Sequence, residues 1–362
     1  MPLAACLPDI AIKMTTPSAR FLVYPRATNR ESAGIFVHRI AKELRRRNYS
    51  YTSFPFHYTG RSVTPWTHAF AMGFARFVPQ LLADKRPSVH TLGQTFEPAH
   101  LRALGLERTA EQQLILRRGY SILASGRKIA FISKHVRGIW QRLAEEQNVP
   151  WPDASQVRVI YHALDLDEFR PSTRPPSGPF VIGSAGALRF PFRLATLFQV
   201  SRRLRFDHRI LLVGSMDDDC KRIMSEAMKD PDLAARTSYV PWVNSEALPP
   251  LYQRMHCLFH PVSGEPCGIV VTEALACGVP VVVPAYGGPS EFVLPDGGIA
   301  VEAKPYHHDD EFCDRMADAV TKVRENYDAF RRGARRQAEL HLSITASVDE
   351  YLDMLDLPRR QP

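Results

Sequence analysis

The sequence lacks the features that mark membrane-spanning, disulfide-bonded and metal-binding proteins. No apolar run among its 362 residues approaches the roughly 20 residues that cross a bilayer as a helix. Its six cysteines include no Cys-x-x-Cys pair and follow no secretion signal, which favours reduced thiols in a cytoplasmic protein. Cys257, Cys267 and Cys277 are evenly spaced, but no histidine or cysteine pair completes a zinc pattern. The acidic run 217–219 stands at a predicted helix start, where carboxylates favour the dipole, so we do not interpret it as a metal site. We also expect no cofactor.

The net charge of +8 is moderate and would suit anionic substrates, anionic lipid surfaces or nucleic acid. The sequence shows no recognisable nucleic-acid-binding module and no basic surface interleaved with aromatic residues, so we predict no nucleic-acid partner. Hydrophobic residues make up 45% and charged residues 23%, as in ordinary globular proteins. A chain of 362 residues is long enough for two domains.

The stretch 260–292, HPVSGEPCGIVVTEALACGVPVVVPAYGGPSEF, combines two carboxylates with a predicted helix start. A strand ends near its beginning, a loop carries Glu265, and a helix begins near Gly268 and carries Glu273. The first turn of a helix has backbone N–H groups without helical partners and the positive end of the dipole, which suits a diphosphate. Because carboxylates would repel that anion, we interpret Glu265 and Glu273 as acceptors for sugar and ribose hydroxyls. The alternative is an ordinary βαβ segment with two solvated glutamates.

With two glutamates eight positions apart and Gly-Ile-Val between them, this stretch resembles the donor-binding signature of the family 4 retaining glycosyltransferases. The segments Ala-Cys-Gly-Val-Pro-Val-Val and Gly-Gly-Pro-Ser-Glu stand in register with the same signature. The resemblance implies the α/β GT-B fold, in which two Rossmann-like domains face each other across a cleft. It also implies that Glu265 contacts the transferred sugar in the catalytic site and that Glu273 holds the ribose. Backbone N–H groups of Gly268, Ile269 and Val270 would bind sugar and phosphate.

A proline-rich segment, STRPPSGP at 172–179, predicts the linker between the domains. We therefore expect an acceptor-side domain at 1–171 and a nucleotide-sugar-binding domain at 180–362. The family resemblance implies that the last helix crosses back onto the first domain. The segment 157–171 resembles the family's joining segment, with Tyr-His-Ala at 161–163 in place of the usual Pro-Asn-Gly.

The family neutralises the donor diphosphate with an arginine and a lysine, whose positions correspond to Ala187 and Phe192 here. Arg189 and Arg193 stand one or two positions away and are our candidates for the same role, since guanidinium forks suit phosphate oxygens. The alternative is that both arginines are surface charges and that the donor is held weakly or not at all.

Family members often carry a histidine in the first domain that positions the donor sugar or the acceptor. The region 90–100, HTLGQTFEPAH, is expected to open onto the cleft at the carboxyl end of a strand. His90 is our candidate for this catalytic position, with Glu97 and His100 as rivals, although a lone histidine is more often structural.

The predicted helix 35–47 is amphipathic and carries several basic residues away from its apolar face. Those residues form either a solvated surface or a face that lies against anionic lipid head groups, where a lipid-linked acceptor would be presented.

The function that the resemblance implies is metal-independent, retaining transfer of a sugar from a UDP-, GDP- or ADP-sugar to an acceptor hydroxyl in glycan or glycolipid biosynthesis. The acceptor stays open between a glycan end, a lipid-linked saccharide and a small metabolite. The glutamate pair argues against an epimerase, and the absence of a convincing pyridoxal lysine argues against a phosphorylase. A non-catalytic nucleotide-sugar-binding partner subunit with a degenerate phosphate site is the remaining alternative. We expect a cytoplasmic protein, with peripheral contact at the inner face of the membrane as an option.

Overall fold

Two six-stranded parallel sheets form the framework of the protein. The computed structural model describes residues 19–24, 32–53, 67–72, 78–93, 107–188, 191–302 and 308–361. Both sheets carry helices between their strands, so the predicted α/β architecture with two Rossmann-like domains is confirmed.

The first sheet has the strand order β2-β1-β3-β4-β5-β6, and each neighbouring pair runs parallel. The order reverses beside β1, which makes a crevice for ligands at the carboxyl ends of the strands. Its elements are β1 (Arg20–Tyr24), α1 (Ser32–Arg46), β2 (Ser50–Ser53), β3 (His68–Met72), α2 (Val78–Ala83), β4 (Ser88–Leu92), α3 (Ala110–Leu123), β5 (Lys128–Phe131), α4 (Lys134–Glu146) and β6 (Val157–Val159).

The second sheet has the order β12-β11-β10-β7-β8-β9, also parallel throughout, and its order reverses between β7 and β10. The helix that follows β10 therefore begins at this switch point, where open α/β sheets bind ligands. The elements are β7 (Phe180–Ala185), α5 (Pro191–Arg203), β8 (His208–Val213), α6 (Asp218–Ala227), α7 (Pro231–Arg236), β9 (Thr237–Val240), α8 (Leu248–Tyr252), β10 (Cys257–Phe259), α9 (Ile269–Ala276), β11 (Val281–Pro284), α10 (Ser290–Val293), β12 (Gly298–Val301) and α11 (Asp310–Glu325).

The last two helices, α12 (Tyr327–His341) and α13 (Ile344–Met354), connect the two halves of the molecule. On α12, Ala334 and Ala338 share a buried cluster with residues of α9. On α13, Val348 and Tyr351 join the core of the first domain together with Phe36 of α1. The chain end is thus packed against the first domain.

The structure contains elements that the sequence patterns did not predict. Strand β3 lies in the aromatic-rich region 57–87, which showed no clear period, and it pairs with β1 and β4 in the interior of the first sheet. The acidic run begins α6, where the Asp217 side chain accepts the Cys220 N–H at 2.8 Å as an N-cap. Among the described helices, none is both long and apolar enough to cross a membrane.

Candidate functional site in the interdomain cleft

The amino terminus of α9 presents unbonded backbone donors at the switch point of the second sheet. Gly268 caps the helix in a left-handed conformation, with φ of 70°, and its carbonyl accepts the N–H groups of Val271 and Thr272 at 2.8 and 3.2 Å. The N–H groups of Ile269 and Val270 make no hydrogen bond to any described residue, and both residues are partly exposed. Two free donors at the positive end of a helix dipole are suited to bind an anion.

Two glycines bring the neighbouring loops against this helix end. Gly186 follows β7 with φ of +105°, and Gly214 follows β8 with φ of +131°. A Cβ atom at Gly214 would lie 1.9 Å from the Gly186 carbonyl oxygen, and one at Gly186 would lie 2.8 Å from Val270 Cγ1. Only glycine permits this convergence, which shapes a backbone-lined cradle around the start of α9.

Glu265 lies beside this helix end, with 27% of its side chain exposed. Its Oε2 is 3.7 Å from His260 Nε2. Burial acts to raise the pKa of Glu265, but His260, the Arg193 cation and the Gly268 N–H outweigh burial and hold the pKa below its ordinary value. Glu265 is therefore a carboxylate at neutral pH and can accept hydrogen bonds from sugar hydroxyls.

Beneath Glu265 lies a buried layer formed by His260 and Arg193. Neither ring nitrogen of His260 has a hydrogen-bond partner within the described residues, and burial, aided by Arg193 and opposed by Glu265, lowers its pKa. Arg193 is 3% exposed and donates from Nε to Ser184 Oγ at 3.1 Å and from Nη2 to the Ala185 carbonyl at 2.6 Å. Burial lowers the Arg193 pKa to about 10, so it remains a cation at neutral pH.

Arg193 is therefore an interior cation, and the alternative that it is a surface charge is wrong. Its predicted contact with a diphosphate stays a prediction, because two of its three nitrogens are bonded to the protein. Arg189, the other candidate, lies outside the described residues.

Glu273 is 2% exposed and is bonded across the domain boundary. Its Oε1 accepts from Arg39 Nη2 at 2.6 Å, and its Oε2 accepts from Tyr252 Oη at 2.8 Å. Each carboxylate oxygen has a second lone pair, so a ribose hydroxyl must either join Arg39 and Tyr252 or displace one of them. Sequence reasoning placed Arg39 on a basic helix face, and no local signal could reveal a partner 234 positions away.

The glutamate of the Gly-Gly-Pro-Ser-Glu segment makes a second contact between the domains. Glu291 accepts the backbone N–H groups of Lys134 and His135 at 2.8 and 2.6 Å, and Tyr161 Oη at 2.9 Å. It thereby caps the first turn of α4 in the first domain, where a carboxylate complements the dipole. The sequence pattern identified this segment but suggested no role for its glutamate.

His90 lies in the interior of the first sheet, and its predicted contact with the donor sugar or acceptor stays a prediction. His90 is the middle residue of β4, is fully buried, and lies in register with Ala71 and Ile129. Its Nε2 is 3.1 Å from Ser88 Oγ, and burial, assisted by Arg127, lowers its pKa to about 4. The position follows from the strand continuing two residues beyond the histidine. The rival residues 97 and 100 lie outside the described residues.

Much of the basic face of α1 is paired within the chain. Lys42 contacts Glu168, Arg46 Nη1 lies 2.9 Å from Asp165 Oδ2, and Arg47 is buried. Across the ranges that the structure describes, no three His, Cys, Asp or Glu side chains are grouped as a metal site would require.

Comparison with known proteins finds glycosyltransferases that are similar to this chain. The model for glycosyl transferases group 1 matches residues 165–337, which contain the whole α9 cradle. A D-inositol 3-phosphate glycosyltransferase of Arthrobacter sp. (strain FB24) is 28% identical over 242 residues, covering 57% of this chain and 54% of that protein. The chain thus spans about half the length of the curated relatives it matches.

Solved structures share the fold over nearly the whole chain. Sucrose-phosphate synthase from Thermosynechococcus elongatus has a TM-score of 0.70 at 15% identity, covering 94% of this chain and 98% of that chain. Anabaena HepE in complex with UDP has a TM-score of 0.72 at 16% identity, covering 93% and 99%. These likenesses show the GT-B fold, and residues 165–337 are similar to the group 1 glycosyltransferases.

Proposed function

We propose that this chain transfers a sugar from a nucleotide-sugar to an acceptor hydroxyl, with retention of the anomeric configuration. The observation that carries the proposal is the start of α9, where the unbonded N–H groups of Ile269 and Val270 lie beside the ionised Glu265. The two N–H groups can bind a diphosphate, and the carboxylate can accept hydrogen bonds from sugar hydroxyls. The diphosphate and the sugar of one nucleotide-sugar therefore both have binding partners here.

The donor is best assigned as a UDP-sugar. HepE, which shares the fold, has been solved with UDP and with UDP-glucose, and this supports UDP over GDP or ADP. In this chain the diphosphate would lie on the α9 amino terminus, with Glu273 toward the ribose. Trp242 is 48% exposed just after β9, and we assign the backbone of 239–242 to the border of the base pocket.

The reaction follows from what these groups can stabilise. The acceptor oxygen bonds to the anomeric carbon on the face from which the diphosphate leaves, the bond between that carbon and the diphosphate oxygen breaks, and the acceptor proton passes to the diphosphate. The free N–H groups of α9 and the charge of Arg193 stabilise the negative charge that develops on the diphosphate. The two domains orient the nucleotide-sugar and the acceptor. This scheme needs no nucleophilic carboxylate and no metal.

For the acceptor and the cellular location we propose only broad classes. The acceptor would enter from the first-domain side of the cleft, and it is a glycan end, a lipid-linked saccharide or a small metabolite. Cytoplasmic location rests on the cysteine usage. Peripheral membrane contact would use the exposed Arg45 of α1, which donates to Tyr51 Oη at 3.3 Å, because Lys42 and Arg46 are paired with carboxylates.

A turnover assay with UDP-, GDP- and ADP-sugars tests the proposal directly. We expect hydrolysis or transfer with a UDP-sugar, and a loss of about 10- to 100-fold in kcat/KM for Glu265→Gln, because hydrogen bonds to a charged group are removed. Glu226→Gln, at an exposed position of α6, is the matched control and should be silent. Donor binding without turnover by any sugar would favour the non-catalytic partner subunit. Failure of every donor to bind would contradict the proposal.

A further inference from the structure

A cavity of about 320 Å³ lies at the amino-terminal edge of the second sheet. Its lining includes Arg209 near the start of β8, Thr237 at the start of β9 and Arg254 just before β10. The interdomain cleft lies at the opposite, carboxyl-terminal edge. Arg209 and Val213 are separated by four residues of β8, or about 13 Å of strand, so the cavity is distinct from the α9 cradle.

The cavity is lined by uncompensated positive charge. Arg209, Arg236 and Arg254 contribute to it, and no Asp or Glu is among its described lining residues. Arg209 and Arg254 form no ion pair or hydrogen bond with any described residue. Arg236 donates from Nε to the Asp232 carbonyl at 2.9 Å, which leaves its charge unpaired.

Two neighbouring arginines on the same domain are paired with carboxylates, unlike the arginines of the cavity. Arg202 lies 3.2 Å from Asp230, and Arg203 lies 2.6 Å from both Asp310 and Asp314. Cations that share a cavity repel one another, and a bound anion would remove that repulsion.

A buried hydroxyl lines the same cavity without a partner. Thr237 Oγ1 is inaccessible to solvent and makes no hydrogen bond with the described residues. The adjacent Ser238 Oγ, in contrast, donates to the Ile210 carbonyl at 3.2 Å. An unsatisfied buried hydroxyl costs free energy, so a rotation of the Thr237 side chain that let its hydroxyl bond a ligand oxygen would stabilise the occupied site.

We infer that this cavity is a second, non-catalytic binding site for a compact phosphate-bearing anion. Guanidinium groups present paired donors that match phosphate oxygens, and a phosphate monoester carries a charge of about −1.5 to −2 at pH 7. The volume corresponds to the lower end of small-ligand pockets, which suits a phosphorylated metabolite or a single lipid head group. Because the site is remote from the cleft, its ligand regulates or localises the protein and does not take part in sugar transfer.

His208 provides a built-in reporter for occupancy. It is buried, its Nδ1 lies 2.9 Å from the Phe206 carbonyl, and its Nε2 lies 2.7 Å from Ser201 Oγ and 3.5 Å from Arg236 Nη1. Burial lowers the pKa of His208, and the Arg236 and Arg209 cations lower it further, against the Phe206 carbonyl and Asp207. An anion bound between these arginines would offset their effect and raise the His208 pKa.

The test is an NMR titration of the His208 ring in the full chain with inorganic phosphate at constant ionic strength. We expect a saturable rise of the His208 pKa. In the double variant Arg209→Gln plus Arg254→Gln, the apparent affinity for phosphate should fall by about tenfold or more. The double variant Arg222→Gln plus Arg315→Gln removes the same net charge from exposed helix positions and should match wild type.

A second arm distinguishes the source of the anion. Vesicles of phosphatidylglycerol and of phosphatidylcholine are compared in a sedimentation assay with the same variants. Retention on phosphatidylglycerol that the arginine double variant loses and the control keeps identifies a head group, whereas a response to free phosphate alone identifies a soluble ligand. The inference is overturned if neither probe gives a response that depends on Arg209 and Arg254.

Discussion

At the scale of single residues, Glu265 is defined by what lies beneath it. Arg193 occupies a position where the family resemblance led us to expect a phosphate contact, yet it is buried behind β7 and acts on Glu265 and His260. A buried cation is costly unless nearby anions compensate it, and the charge of Glu265 offsets part of that cost. The pair keeps a hydroxyl acceptor ionised at the point where the sugar would bind.

Replacement of Arg193 should change the ionisation of Glu265. The Glu265 pKa is depressed in the folded state, so its contribution to stability is present above its ordinary value of 4.5 and is lost as pH falls through the folded pKa. In Arg193→Met we expect a higher Glu265 pKa, which moves the acidic limb of the kcat/KM profile to higher pH. Arg193→Lys retains the charge and should keep the limb near wild type. Equal profiles for all three proteins would refute this role.

Some residues could be located from the sequence because a contiguous pattern fixes their position. Others could not, because their position depends on segments that are distant in the sequence. Glu265 and Gly268 belong to a contiguous pattern that fixes a strand, a loop and a helix start. The burial of His90 was not predictable, because a five-residue pattern does not show which side chains of a strand are covered by packed helices. The bonds of Arg39 and Glu291 join distant segments, so no local pattern encodes them.

At the scale of elements, the amino terminus of α9 depends on one backbone conformation. Gly268 has φ of +70°, and a Cβ atom there would lie 3.1 Å from Pro289 Cγ and 3.3 Å from Glu265 Cγ. A side chain at position 268 would therefore strain the helix cap and also crowd the side chain of Glu265.

Gly268→Ala should lower the free energy of unfolding by about 1–2 kcal/mol, the cost of a left-handed residue with a Cβ atom. It should also weaken UDP binding, because the cap orients the Ile269 and Val270 donors. Gly138→Ala in α4 is the control: its Cβ atom would meet only Arg142 Nη1 at 3.9 Å, and we expect a gain of up to about 1 kcal/mol. Urea denaturation measures both, and equal effects at the two sites would show that the α9 cap is not special.

Helices and strands could be predicted from the sequence where the spacing of the apolar residues and the capping residues indicated the same element. Serine is a favoured N-cap residue, and Ser133 Oγ accepts the Val136 N–H at 3.1 Å directly before α4. Strands β3 and β12 were missed because short segments of small and apolar residues carry little periodic signal, and their pairing partners determine the structure.

At the scale of the whole molecule, motif residues of the second domain also bond the first domain. Glu273 is paired with Arg39, and Glu291 caps α4. The same groups that would surround a donor therefore hold the two domains together, so donor binding and interdomain geometry should be linked.

Removal of Arg39 should loosen this arrangement. The Arg39–Glu273 pair is nearly buried, with side chains 10% and 3% exposed, and Arg39→Met would leave a buried carboxylate that loses its charge partner. We expect destabilisation of about 3–5 kcal/mol and a larger radius of gyration in small-angle X-ray scattering.

Lys42→Met is the matched control on the same helix, since its pair with Glu168 is half-exposed and should contribute little. Identical stability and scattering for the Arg39 and Lys42 variants would show that the Arg39–Glu273 pair does not hold the domains.

The central claim, a nucleotide-sugar site at the start of α9, is tested most directly by calorimetric titration of wild type and Glu265→Gln with UDP and with UDP-glucose. We expect wild type to bind UDP-glucose more tightly than UDP, and Glu265→Gln to lose this difference while still binding UDP. Absence of binding to either ligand, or an unchanged preference for UDP-glucose in Glu265→Gln, would contradict it.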